Sequence, residues 1–109
     1  MKKLLVAVSI LAFVPAVSFA RGNAEAGKAR AAQVCVACHG ADGNKPSAPD
    51  QPVLAGQYPD YIVKALRDYK SGKRKNPIMS GFASGLTVQD MEDLAAWFSS
   101  QKSALHDQR

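Results

Sequence analysis

The chain alternates between long segments with helical spacing and short segments rich in glycine and proline. "NAEAGKARAAQVCVACH", residues 23–39, is alanine-rich, with Asn23 as a fair N-cap and Glu25 in the first turn. It predicts a helix running into the two cysteines. "PDYIVKALRDYKSG" places Pro59 in a first turn, repeats Ile62, Leu66 and Tyr69 at steps of four and three, and stops at Gly72, which predicts a second helix. "LTVQDMEDLAAWFSSQK" predicts a third, with Thr87 as cap, Asp90 completing a capping-box pair, and Val88, Met91, Leu94, Ala95 and Phe98 on one apolar face. "GADGNKPSAPDQPVLAGQ" and "KRKNPIMSGFASG" read as loops. The tail "SALHDQR" is polar and is expected to fray. No segment alternates with the period of a strand, so the expected fold class is all-α.

The N-terminus changes the compartment. Lys2 and Lys3 precede an uncharged run from Leu4 to Val14, broken by Pro15, and Ser18-Phe19-Ala20 puts small residues where a signal peptidase reads. This layout predicts a secretory signal over residues 1–20, cleaved after Ala20. The run is short for a membrane span of roughly 20 residues, so no stable span is expected after cleavage. The basic start favours export to a bacterial periplasm. Residues 21–109 then form one domain, small enough to need a disulfide, metal or cofactor as a staple. Without Lys2 and Lys3, 12 basic side chains face 9 acidic ones. That excess is too mild to suggest nucleic-acid binding.

The candidate chemistry lies in "CVACHG". The only two cysteines, Cys35 and Cys38, sit three apart, with His39 next. A disulfide would use both thiols but leaves His39 without a purpose. A thioredoxin-type pair expects a βαβ setting that the pattern lacks. A zinc site needs four ligands, and the second histidine, His106, lies in the tail. Cys-x-x-Cys-His is the signal for covalent haem c: thiols one helical turn apart can add to the two vinyl groups on one haem edge, and the adjoining imidazole meets the iron.

These residues, with "PVLAGQYPDYIVKALRDYKSGKRKNPIMSG" and "LTVQDMEDLAAWF", resemble the class I cytochromes c, in particular the small bacterial members of the c-553 and c-4 type. The resemblance runs from about Asn23 to Lys102. It implies three main helices around one haem, and electron transfer rather than enzymatic catalysis. The c-4 members carry two such domains; one motif here makes the single-domain form the expectation. It also implies a methionine as sixth iron ligand. Met79 sits in the second loop, at the position of the family's ligand loop, whereas Met91 falls on the apolar helix face as core filler and His106 has little to anchor it. Pro52 matches the family proline whose carbonyl holds the N–H of the proximal imidazole. Gly27 and Trp97 fall where the first and last helices cross in the family. Tyr58, Tyr61 and Phe82 are candidates to pack on the porphyrin, and equally for ordinary core duty.

Lys70, Lys73, Arg74 and Lys75 crowd the end of the second predicted helix. They suit either a solvated helix terminus or a docking face for an acidic redox partner. With both axial positions filled, the expected role is a one-electron carrier of positive potential between respiratory donors, terminal oxidases or periplasmic dehydrogenases. The alternatives are a haem subunit of a larger dehydrogenase or oxidase complex and a gas-binding or catalytic haem protein.

Overall fold

Asn23 opens the first helix: its side-chain oxygen accepts from the Ala26 amide, and α1 runs over Ala24–Val34. In the computed structural model, which describes residues 2–12 and 22–104, α1 is followed after Cys35 by a single turn, α2 (Val36–His39). Then come α3 (Pro59–Ser71), α4 (Pro77–Ser84) and α5 (Val88–Ser99). The described residues contain no strand. Ala20, where cleavage is expected, and His106 lie outside the described residues. Within them, no helix is long and apolar enough to cross a membrane.

The predicted punctuation recurs in the structure. Pro59 is the first residue of α3, and Gly72 ends that helix at φ 82°, a left-handed cap that L side chains avoid. Thr87 and Asp90 form a reciprocal capping box on α5. One predicted loop is a helix instead. Asn76 accepts from the Ile78 and Met79 amides and Pro77 follows it, so α4 starts with a side-chain cap and a proline of preset φ. Two smaller expectations also change. Val88 is exposed although it shares the apolar stripe of α5. The tail does not fray at its start, because Asn44 receives the Ala104 amide at 2.6 Å and donates to the Lys102 carbonyl at 2.9 Å.

The core joins Ala31 of α1, Ile62, Val63 and Leu66 of α3, and Met91, Leu94, Ala95 and Phe98 of α5. α1 and α5 cross in close contact. A Cβ on Gly27 would stand 1.9 Å from the Asp93 carbonyl oxygen and 3.0 Å from Trp97 Cβ. The backbone of α5, more than the indole, is therefore what requires glycine there. Asp93 also accepts from the Asn23 amide, and Arg30 lies 3.5 Å from Asp90, so polar contacts flank the crossing. The indole of Trp97 lies under the Lys28 ammonium, 5.4 Å from its centroid.

Candidate functional site

α2 is too short to stand alone, and its chain continues directly from α1. His39 and Cys38 amides bond back to the Cys35 carbonyl, so both thiols and the imidazole are carried on one tight turn. The following loop is drawn in under this turn: the Lys45 amide donates to the His39 carbonyl and Ser47 to that of Cys38. Gln51 then fastens the loop on itself, its side-chain oxygen accepting from the Ser47 and Ala48 amides. The next residue is Pro52.

His39 is only 6 % exposed. Its Nδ1 lies 2.9 Å from the Pro52 carbonyl oxygen. A carbonyl can only accept, so Nδ1 carries a proton, and in the neutral imidazole Nε2 keeps its lone pair. Among the described residues Nε2 has no partner, and Arg30 Nε is the one fully buried side-chain nitrogen or oxygen lacking one. The lone pair of Nε2 is therefore open to the adjoining space. That space is a cleft of ≈ 370 Å³ to which Cys35, Cys38, His39, Pro52 and Met79 all contribute, with walls of Leu54, Ile62, Leu66, Leu94 and Phe98. Its volume and apolar lining suit a flat organic cofactor.

Cys35 and Cys38 are free thiols, half-buried and not joined to each other. Burial pushes the Cys35 thiol up to about 11, against the opposing pull of the Arg30 guanidinium, with Cys38 adding a smaller upward push. The group is a neutral thiol at ordinary pH, unlike the activated thiolate of a redox-exchange pair. Met79 is the third residue of α4, not a loop residue, and packs half-buried against the core. Met91 is 1 % exposed inside the core and does not reach the cleft. Tyr61 and Phe82 line the cleft, whereas Tyr58 is exposed away from it and serves neither cleft nor core.

This arrangement suits covalent haem: two thiols one turn apart, an oriented imidazole with its lone pair free, and a thioether on a separate element of the same apolar cleft. The family model for cytochrome c matches residues 24–102.

The chain belongs to the cytochrome c family.

A cytochrome c domain carries haem c, with its iron, in covalent attachment. Cytochrome c4 of Pseudomonas aeruginosa is 48 % identical over 105 residues, covering 96 % of this chain and 51 % of that protein. Cytochrome c-554(548) of Halomonas halodenitrificans is 40 % identical over 84 residues, covering 74 % of this chain and 99 % of that one. The crystal structure of reduced cytochrome c4 from Pseudomonas stutzeri superposes with a TM-score of 0.70 at 47 % identity, over 77 % of this chain and 48 % of that one. This cytochrome c chain thus spans about half the length of its cytochrome c4 relatives.

Two contributions to the site escaped the sequence. Asn76-Pro77 is a cap followed by an N1 proline, a legible helix start, but Ser80, Gly81 and the shortness of the segment obscured it. Gln51 holds the loop that presents Pro52, and no local pattern announces this. The basic cluster is also divided. Lys70 Nζ donates to the Leu86 carbonyl, and Arg74 turns toward the cleft. The side chains of Lys73 and Lys75 make no hydrogen bond or ion pair among the described residues.

Proposed function

We propose that this cytochrome c is a one-electron carrier in which Cys35 and Cys38 would hold the haem by thioether bonds and His39 and Met79 would both ligate its iron. The observation that carries the reading is the buried imidazole, fixed through Nδ1 by the Pro52 carbonyl, whose free Nε2 opens on the cleft that Met79 also lines. Bound haem c supplies the one-electron chemistry, its iron alternating between ferric and ferrous. The chain supplies the rest. Pro52 fixes the imidazole and raises its basicity. The thioether of Met79, a soft donor, favours the ferrous state, and the apolar walls disfavour the extra charge of the ferric state, so the potential is raised. With His39 and Met79 both bound to the iron, no substrate site would remain there, which fits electron transfer rather than enzymatic catalysis.

The same proposal includes a signal over residues 1–20, a mature domain over 21–109 and a periplasmic location, supported by the basic start and the uncharged run that follows. Its partners are redox proteins: a respiratory donor, a terminal oxidase or a periplasmic dehydrogenase. Of the basic cluster Lys70, Lys73, Arg74 and Lys75, the two unengaged lysines, Lys73 and Lys75, offer charge for an acidic partner, with the exposed Ile78 three residues after Lys75.

The test is ligand specificity at the iron. Ferric wild-type protein is expected to show the weak red sulfur-to-iron band, and its ferrous form to exclude carbon monoxide. Met79→Ala should lose the band, bind carbon monoxide and fall in potential, while Met91→Leu should change none of these. Loss of the band in Met91→Leu with retention in Met79→Ala refutes the assignment. Ready binding of carbon monoxide by the wild type favours a gas-binding or catalytic protein instead.

A further inference from the structure

The cleft that receives the haem is apolar almost throughout, but haem is not. It carries two propionate carboxylates, and a carboxylate brought against apolar walls is costly without a donor. Among the described residues lining the cleft, one side chain has a permanent positive charge, Arg74, and one is a carboxylate, Asp50. Arg74 is placed with care for an exposed residue. Its amide bonds to the Asp68 carbonyl at 3.1 Å, its guanidinium lies 4.8 Å from the centre of the Tyr69 ring, and one terminal nitrogen donates to the Tyr61 hydroxyl at 3.4 Å. Tyr61 and Tyr69 line the cleft with it.

From this geometry we infer that Arg74 and the Tyr61 hydroxyl are the carboxylate clamp of the haem site, holding a propionate at the rim of the cleft. The inference rests on the haem reading given above. Stacking on Tyr69 takes up a face of the guanidinium and leaves its edge, and among the described residues one of its five N–H donors is engaged; the remainder can meet a carboxylate in the paired geometry that lysine cannot supply. Tyr61 accepts from Arg74 through its oxygen, so its own O–H is still available to donate to the same carboxylate. The neighbouring cations are used differently: Lys70 is spent on the Leu86 carbonyl, and neither Lys73 nor Lys75 lines the cleft. Arg74 is therefore a cofactor-binding residue, separate from the docking charges beside it in sequence. The consequence is electrostatic. A propionate neutralised by a fixed guanidinium stabilises the ferric iron less than a bare one, so the clamp raises the potential.

The experiment is equilibrium voltammetry of holoprotein carrying Arg74→Gln, Arg74→Lys, Tyr61→Phe or Lys73→Gln, at low and at molar salt. Arg74→Gln and Lys73→Gln remove the same charge, one inside the cleft and one outside. Arg74→Gln should lower the potential clearly at both salt concentrations, with the red sulfur-to-iron band intact. Lys73→Gln should give a smaller fall that vanishes in molar salt, where charges are screened within about 3 Å. Arg74→Lys should recover part of the fall, and Tyr61→Phe should lower the potential less than Arg74→Gln. The inference is overturned if Arg74→Gln matches Lys73→Gln in size and salt dependence, if Arg74→Lys behaves as Arg74→Gln, or if Arg74→Gln abolishes the band, which would make it a support for Met79 instead. Absence of covalent haem from the wild type is a different failure, that of the haem reading itself.

Discussion

The two faces of α5 are finished to different degrees. On the side that meets α1, backbone touches backbone at Gly27 and Asp93, and caps, an ion pair and a cation over Trp97 close the contact. On the side that meets α3, Leu94 and Phe98 belong to the buried core and also form part of the wall of the cleft. Apolar groups remain exposed around it, with Tyr61 at 50 %, Ile78 at 65 % and Phe82 at 44 %. Protein interiors are close-packed, and a small domain has little apolar area to leave open. The helix crossing is complete as protein. The cleft is the half where the haem of a cytochrome c domain would add its packing, so the stability of this half is expected to depend on haem attachment.

The largest way to break that asymmetry is to remove the attachment. Cys35→Ala with Cys38→Ala should leave a chain without a cooperative melt, degraded or largely unfolded, when followed by circular dichroism. A sharp transition near the wild-type temperature would show that the α1–α5 half sustains the fold by itself. The converse test strikes the finished half. Gly27→Ala drives a methyl into the Asp93 carbonyl and should cost about 1–3 kcal/mol as the helices shift apart. Its visible spectrum should stay that of the wild type, because the cleft lies on the other face.

The smallest effect concerns the start of α5. Thr87→Ala removes a cap that receives the Asp90 amide and should cost about 1 kcal/mol in denaturant melts. The partner carboxylate of that cap brings a pH dependence. The hydrogen bond from the Thr87 amide holds the Asp90 carboxyl below its ordinary value, against partial desolvation. A lowered carboxylate adds stability above its unfolded value of about 3.9 and loses it as pH falls through the folded value. In denaturant melts, wild-type stability should therefore hold from neutral pH down to about 4 and fall only below it, as Asp90 takes up its proton at a value lower than the unfolded one.

Legibility followed the range of the interactions. Asn23, Thr87, Asp90, Pro59 and Gly72 act within one turn of themselves, and the sequence alone located their helix ends. Cys35, Cys38 and His39 were readable for the same reason, since one turn of backbone brings them together. Met79 needed more. Its arrival at the cleft depends on α4, whose start at Asn76-Pro77 is local but whose docking on α3 is not. The diversion of Lys70 to the Leu86 carbonyl, sixteen residues away, and the turn of Arg74 over Tyr69 are tertiary choices. A charge run in sequence cannot show which members are already spent.

The most direct measurement is haem-specific peroxidase staining of the fully denatured protein on a gel, after maturation in a host with the c-type assembly machinery. The account predicts a stained band for the wild type that survives denaturation and is absent when both Cys35 and Cys38 are alanine. A wild-type band that loses its stain on denaturation, or a double variant that keeps it, would contradict the claim that this cleft is finished by a haem held through those two thiols.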